Sequence, residues 1–198
     1  EIAETKELLL DEVDRMARLV GDLILLAKSD RPDFLRLESV DAGALTADVL
    51  AKARGLGDRA WTLDESADAV ITADEQRLTQ ALLQLADNAV KHTSPGDTVA
   101  LGSSYDGHRV RLWVRDTGPG VPPDQRDVIF ERFGRAAVPP GDEGFGLGLS
   151  IVSAIARAHG GTVALEDPVE DPVESAAPRG ARFVITLPTP KEAPWPAS

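Results

Sequence analysis

The sequence predicts an α+β chain: one globular unit in which helices and short strands interleave, carried behind a long amphipathic helix. Three observations predict it. Apolar residues recur at spacings of four and three from Leu9 to Ala27, and no proline occurs in residues 1–29, the pattern of a bundle helix. Leu78, Leu82, Leu85 and Ala89 repeat with helical period. Two alternating runs flank Tyr105-Asp106-Gly107, and Asp-Gly between such runs marks a hairpin.

The first helix covers residues 1–29, with its seam at Leu9, Val13, Met16, Val20, Leu23 and Ala27. Leu10, Ala17 and Ile24 lie beside that seam and widen the apolar face to that of a bundle member. Each large seam residue, if buried, stabilises by roughly 1.5–3 kcal/mol, so pairing with another helix, within or between chains, is expected; the competing arrangement is packing onto the chain's own domain. Asp30-Arg31-Pro32 ends the helix, because the residue before proline avoids the helical region and the ring blocks continuation.

Past that boundary, Asp41 caps a helix running to about Arg54. Strands follow near Ala60–Leu63 and Ala69–Thr72. A long helix opens at Thr72 or Ala73 and runs through Lys91, ending before Ser94-Pro95-Gly96. The hairpin strands, Thr98–Gly102 and Arg109–Arg115, are expected to pair antiparallel. From Asp116 to Gly144 the pattern fades and prolines recur at 119, 122, 123, 139 and 140, which reads as a long functional loop. A helix resumes at Leu147 and stops at Gly160-Gly161. Strands near Thr162–Leu165 and Ala181–Leu187 close the domain. Between them a tandem Asp-Pro-Val-Glu, residues 167–174, reads as a solvated loop without chemistry. The proline-rich tail is loose, with Trp195 the one residue fit to dock.

Composition narrows the function. With 33 acidic residues against 21 basic and a formal net charge of −12, the surface repels a phosphate backbone, which argues against nucleic acid as a partner. A small polyanion can still bind where backbone amides and a divalent cation supply local positive potential. The absence of cysteine excludes disulfides, thiolate metal sites and thiol nucleophiles. The longest apolar run near the start, Leu23 to Ala27, is far below the roughly 20 residues of a spanning helix, so any membrane attachment is expected only through segments upstream.

Three separated motifs carry the chemistry. In Gln84-Leu-Ala-Asp-Asn88-Ala-Val-Lys91-His92-Thr93, Asn88 and Lys91 share a helix face. An amide oxygen suits magnesium and an ammonium suits phosphate; a solvated helix face is the competing reading. In Asp116-Thr-Gly118-Pro-Gly120, a carboxylate at a strand's end can accept a hydrogen bond from the exocyclic amine of adenine, and the glycines let backbone approach a flat base. An Asp-capped tight turn explains the same residues more plainly. In Gly144-Phe-Gly146-Leu147-Gly148-Leu149, glycines lead into a helix and leave amide donors free for phosphate oxygens. A dinucleotide fingerprint needs a strand just before the glycines, and Val138-Pro-Pro-Gly-Asp-Glu143 cannot be one. No P-loop signature occurs.

In order and spacing these segments resemble the N, G1 and G2 boxes of the histidine-kinase catalytic domain, in the GHKL or Bergerat ATPase superfamily. Ile129-Phe-Glu-Arg-Phe-Gly-Arg135 resembles the F box. The resemblance runs from about residue 34 to 188, and Gly160-Gly-Thr162 and Gly180-Ala-Arg-Phe183 fit the family's closing strands. It implies a two-layer α/β sandwich, a mixed sheet covered on one face by helices. The implied domains are residues 1–32, the second helix of a dimerisation and phosphotransfer hairpin; 33–188, the ATP-binding catalytic domain; and 189–198, the tail. The implied ligands are ATP and Mg²⁺. Asn88 would hold Mg²⁺, Lys91 a phosphate and Asp116 the adenine amine, with His92 near the base. Gly118 and Gly120 would shape the base pocket. Gly144, Gly146, Leu147, Gly148 and Leu149 would border the phosphates. Phe130, Arg132, Phe133 and Arg135 would belong to a mobile lid, whose arginine meets the transferring phosphate.

The resemblance further implies transfer of the γ-phosphate to a histidine, a response regulator receiver domain as the next partner, and homodimeric or heteromeric association through residues 1–29. It places the chain on the cytoplasmic side of a membrane-anchored sensor. Two departures matter. Gln84 stands where hydrolysing relatives carry a glutamate base, so hydrolysis should be slow; Arg182 stands where Thr or Ser is common. His92, His108 and His159 do not match the phosphoacceptor pattern, so the acceptor is expected on a hairpin helix or a separate chain outside this segment. The rival expectations are a nucleotide sensor without transfer and an ATPase of the gyrase or chaperone type.

Overall fold

The structure is a computed structural model and describes residues 2–126, 128–131, 146–167 and 180–189 of the chain. In order the elements are α1 (Ile2–Lys28), β1 (Glu38–Asp41), α2 (Ala42–Ala53), β2 (Ala60–Leu63), β3 (Val70–Ala73), α3 (Glu75–Lys91), β4 (Thr98–Tyr105), β5 (Arg109–Asp116), α4 (Gly148–Ala158), β6 (Thr162–Glu166) and β7 (Arg182–Pro188). A five-stranded sheet runs β2-β4-β5-β7-β6. β2 is parallel to β4 and the other pairings are antiparallel. Three helices, α2, α3 and α4, cover one face, giving the expected two-layer α+β sandwich.

Strand alternation divides the sheet into two unlike faces. Val99 and Leu101 of β4, Val110, Leu112 and Val114 of β5, and Phe183, Ile185 and Leu187 of β7 join one apolar core with Leu78, Leu82 and Leu85 of α3 and Ile151 and Ile155 of α4. The other face carries Trp113, opposite Gly102 on β4. A Cβ at Gly102 would stand 2.3 Å from the indole, so the ring lies flat on the neighbouring strand. The guanidinium of Arg182 stacks over that indole at 4.3 Å, and Asp64 accepts from Trp113 Nε1 at 3.2 Å and from Arg115 at 2.6 Å. Arg182, the departure in the closing strand, is thereby spent on the face away from the helices.

Capping explains the helix starts. Asp41 Oδ1 accepts from Ala44 N at 2.9 Å and opens α2 as expected. Asp74 caps α3, and the helix begins at Glu75, two or three residues later than the apolar period implies. Ala73 is still held by β3, paired to Glu38 in a two-stranded ladder with β1. β1 itself escapes sequence reading, because Val40 is its one buried residue and four residues offer no visible alternation. The hairpin strands reach Tyr105 and Asp116, further than their apolar runs suggest.

Asp74 also ties the two central helices together. Its backbone N–H donates to His159 Nε2 at 3.0 Å, and His159 Nδ1 lies 2.8 Å from the Ile155 carbonyl. Because an amide N–H can only donate, Nε2 is the acceptor and Nδ1 carries the proton. His159 thus joins the end of α4 to the start of α3.

Among the described side chains, α1 packs on the domain through its last turns. Leu25 and Leu26 are buried and Leu19 partly so, while Leu9, Leu10, Val13, Met16, Val20, Leu23 and Ile24 are 44–63% exposed. Packing onto the chain's own domain accounts for the C-terminal end of the helix and leaves most of the seam open. Among the described residues no helix is long and apolar enough to cross a membrane.

Candidate nucleotide site

The site gathers around α3, whose two ends of contact meet the other two motifs. Asn88, Lys91 and His92 occupy its last turns, and Gln84 lies one turn earlier on the side of Asn88. A Cβ on Gly118 would stand 2.5 Å from the carbonyl oxygen of His92 and 3.2 Å from Thr93 Cγ2. The turn after β5 therefore lies directly against the end of α3. A Cβ on Gly148 would stand 3.0 Å from Gln84 Oε1, so the start of α4 abuts the same helix. Three motifs far apart in the chain thus border one region.

Asp116 ends β5 on the face of Val110, Leu112 and Val114, which turns its side chain towards the helices. It is only 4% exposed. Its Oδ1 accepts from Gly118 N at 2.9 Å, and its backbone N–H donates to the Ala181 carbonyl at 2.9 Å. Burial pushes its carboxyl above the ordinary value, opposed by the backbone N–H groups of Gly118 and Ala181 directed at the carboxyl and by nearby His92. Among the described residues this acid forms no salt bridge, and its carboxylate has lone pairs left for a neutral donor such as an amine N–H.

The loop beyond is held from two sides. Thr117 Oγ1 accepts from Thr98 N at 3.1 Å, and Thr117 N donates to the Thr98 carbonyl at 3.2 Å. Gly120 adopts φ +75° and lies so near Gly180 that a Cβ would stand 2.7 Å from its carbonyl. Only glycine meets both demands. Gly180 in turn leaves no room for a Cβ against the Asp116 carbonyl, so the closing-strand motif braces the turn after β5.

At the other end, α4 starts at Gly148 with Leu147 as its N-cap residue, and no side chain caps it. Gly146 precedes it at φ +69°. Ser150 Oγ donates to the Leu147 carbonyl at 2.7 Å, and so does not occupy the first amides. Leu147 is buried, and Leu149 packs at the core's edge. With no side chain capping them, the first N–H groups of α4 form a helix end that favours an anion.

The side chains on α3 fit a metal and phosphate role chemically. Among the described residues Asn88 is half-buried and its amide makes no hydrogen bond, leaving a hard oxygen donor uncommitted. Lys91 pairs with Asp87 at 2.7 Å, both side chains 42% exposed. An exposed pair of this kind is worth roughly 0.3–0.5 kcal/mol, so the ammonium is released readily to a stronger anion. The sequence reading overlooked Asp87, although the i,i+4 spacing was legible.

Phe130 sits edge-to-face on Phe183 at 6.1 Å, beside buried Ile129. Phe130, expected in the lid, thus contacts β7. Arg132, Phe133, Arg135 and Gly144 lie outside the described residues, as do most of the tandem acidic loop and Trp195.

The histidines are accounted for. His92 is the C-cap residue of α3. His108 sits in the hairpin turn at the far end of β5, roughly 25 Å from Asp116 at about 3.3 Å per residue. His159 is the link between α4 and α3.

Comparison with known proteins agrees with this geometry. A profile of the family described as histidine kinase-, DNA gyrase B- and HSP90-like ATPase matches residues 73–191. The probable sensor histidine kinase TcrY of Mycobacterium tuberculosis is 36% identical over 191 residues, which is 94% of this chain and 38% of that protein. Among solved structures, full-length ShkA in complex with AMPPNP is 36% identical with a TM-score of 0.71, covering 90% of this chain and 37% of ShkA. The ATP-binding domain of PrrB from Mycobacterium tuberculosis is 30% identical with a TM-score of 0.62, covering 78% of this chain and 98% of that domain. The chain spans between 32% and 38% of the length of the curated relatives compared.

Proposed function

The chain belongs to the histidine kinase-, DNA gyrase B- and HSP90-like ATPase family, as an ATP-binding catalytic domain of the sensor histidine kinase type, and from that premise we propose that it binds Mg-ATP and passes the γ-phosphate to a histidine outside residues 1–198. The observation that carries the reading is the convergence on α3: His92 lies against Gly118 and Gln84 against Gly148.

In this reading Asp116 accepts the adenine amine, Gly118 and Gly120 admit the base, and His92 borders it. The N–H groups at Gly146, Leu147, Gly148 and Leu149 receive phosphate oxygens, with Gly144 continuing that border. Lys91 leaves Asp87 for a phosphate, and Asn88 supplies an oxygen to Mg²⁺. The bound metal would neutralise charge on the phosphates. Arg132 would face the transferring phosphoryl group, and Phe130, Phe133 and Arg135 would belong to the lid. Catalysis then consists of positioning and charge stabilisation. A histidine nitrogen forms a bond to the γ-phosphorus as the bond to the bridging oxygen breaks, and ADP departs.

Residues 1–32 are read as the second helix of the phosphotransfer hairpin, residues 33–188 as the catalytic domain and 189–198 as a tail. The open seam of α1 supports association through residues 1–29 with a second copy or a histidine-bearing chain. A receiver domain of a response regulator would take the phosphate next. The location is the cytoplasmic side of a membrane-anchored sensor. Nucleic acid is not a partner in this reading.

The test is single-turnover transfer of labelled γ-phosphate to an added histidine-bearing hairpin. Wild-type protein should label it, and Asn88→Ala should lower the rate by about a hundredfold or more. Gln84 cannot take a proton from water, so steady-state phosphate release should stay slow. ATP binding without labelling would favour a nucleotide sensor; rapid phosphate release would favour an ATPase.

A further inference from the structure

We infer that Arg59, which directly precedes β2, is a positioning residue for the adenine end of the site. The inference rests on the nucleotide reading above and adds a residue that none of the three motifs contains.

The guanidinium of Arg59 crosses from the edge of the sheet to the end of α3. Nη2 donates to the carbonyls of Val90 at 2.9 Å and Thr93 at 2.8 Å. Nε donates to Thr93 Oγ1 at 2.7 Å, and that hydroxyl donates on to the Ala89 carbonyl at 2.7 Å. Nη1 donates to the carbonyl of Asp58 at 2.8 Å. A helix's last carbonyls have no partners within the helix, and a cation there complements the negative end of its dipole. The turn before β2 closes on the same place, since a Cβ at Gly57 would stand 2.9 Å from Val90 Cγ1.

The opposite side of that helix end is a wall of the base site. Gly118 lies against the His92 carbonyl and Thr93 Cγ2, and the Gly118 N–H holds Asp116 Oδ1. A continuous path therefore runs from Arg59 through Thr93 to Gly118 and Asp116. Fixing Thr93 and His92 fixes the width of the slot and the aim of the carboxylate. That aim is what distinguishes purines, because guanine presents a carbonyl where adenine presents the amine. Lysine lacks the planar fork that meets two carbonyls and a hydroxyl together.

The experiment measures affinity for ATP and for GTP, each with Mg²⁺, by calorimetric titration of the full chain and of Arg59→Gln, Arg59→Lys and Thr93→Val, alongside thermal midpoints. Arg59→Gln should weaken ATP binding about tenfold and GTP binding about twofold at most, so that selectivity narrows. Arg59→Lys should recover part of the loss. Thr93→Val, which keeps the shape and removes the hydroxyl, should weaken ATP about threefold and decides the matter if Arg59→Gln fails to fold. Variants that lower the midpoint yet keep wild-type ATP affinity and ATP-to-GTP ratio would show a purely structural cap and overturn the inference alone. Wild-type protein that binds no ATP would overturn it together with the nucleotide reading.

Discussion

Asp116 is an acid kept out of water at a cost to the fold. Its burial raises the carboxyl above its ordinary value, so the folded state binds that proton more tightly than the unfolded chain does. Stability from this group is therefore fully present below the unfolded value of 3.8 and is lost as pH rises through the folded value. Asp116→Asn removes the ionised form while keeping an oxygen for the Gly118 N–H. The variant should be at least as stable as wild type at neutral pH, with an advantage that shrinks on acidification, as denaturant midpoints across pH would show. The same change should weaken ATP binding by roughly 1.5–3 kcal/mol; unchanged affinity would remove Asp116 from the base site. Gly118→Ala, whose Cβ meets backbone oxygen rather than a yielding side chain, should cost roughly 1–3 kcal/mol of stability, measured the same way. At this scale the residues that converge on α3 were largely legible, since glycines and acids at odds with an apolar pattern stand out in the sequence. Arg59 was not, because its partners are carbonyls, and no side-chain identity reveals where a helix leaves them unpaired.

The elements do the joining. α3 carries Asn88 and Lys91, the residues proposed for metal and phosphate, on one stretch and presents its end to the turn after β5, while the start of α4, which no side chain caps, abuts Gln84. Their relative placement is locked at the far side by His159, which accepts from Asp74 N as Asp74 Oδ1 caps α3 through Arg77 N. His159→Phe should cost roughly 1–3 kcal/mol, because it leaves a poorly solvated amide without an acceptor, and urea unfolding would read it. A neutral outcome would mean that water replaces the ring. Periodicity found both helices, the hairpin and the closing strands. It misplaced the start of α3 because Ala73 and the apolar helix residues look alike in sequence, and it missed β1 because pairing with β3 is a long-range event that four mostly exposed residues do not announce.

The molecule as a whole is a sandwich carrying a helix whose apolar seam is largely exposed. The sheet order that puts β5 between β4 and β7 brings Asp116, the closing strand and the end of α3 together, and no local pattern contains that information. α1 contributes Leu25 and Leu26 to the core and leaves its remaining seam in solvent. Deleting residues 1–17 should therefore change domain stability by less than about 1 kcal/mol, and any self-association seen by sedimentation should vanish. A large loss of stability would mean that the helix belongs to this domain rather than to a bundle. The central claim, one nucleotide held between the end of β5 and the start of α4 across α3, is met most directly by a crystal structure of the chain with AMPPNP and Mg²⁺. The expected result is the adenine amine at hydrogen-bonding distance from Asp116 with phosphates on the Gly146–Leu149 amides; a nucleotide bound elsewhere, or a base turned away from Asp116, would contradict the account.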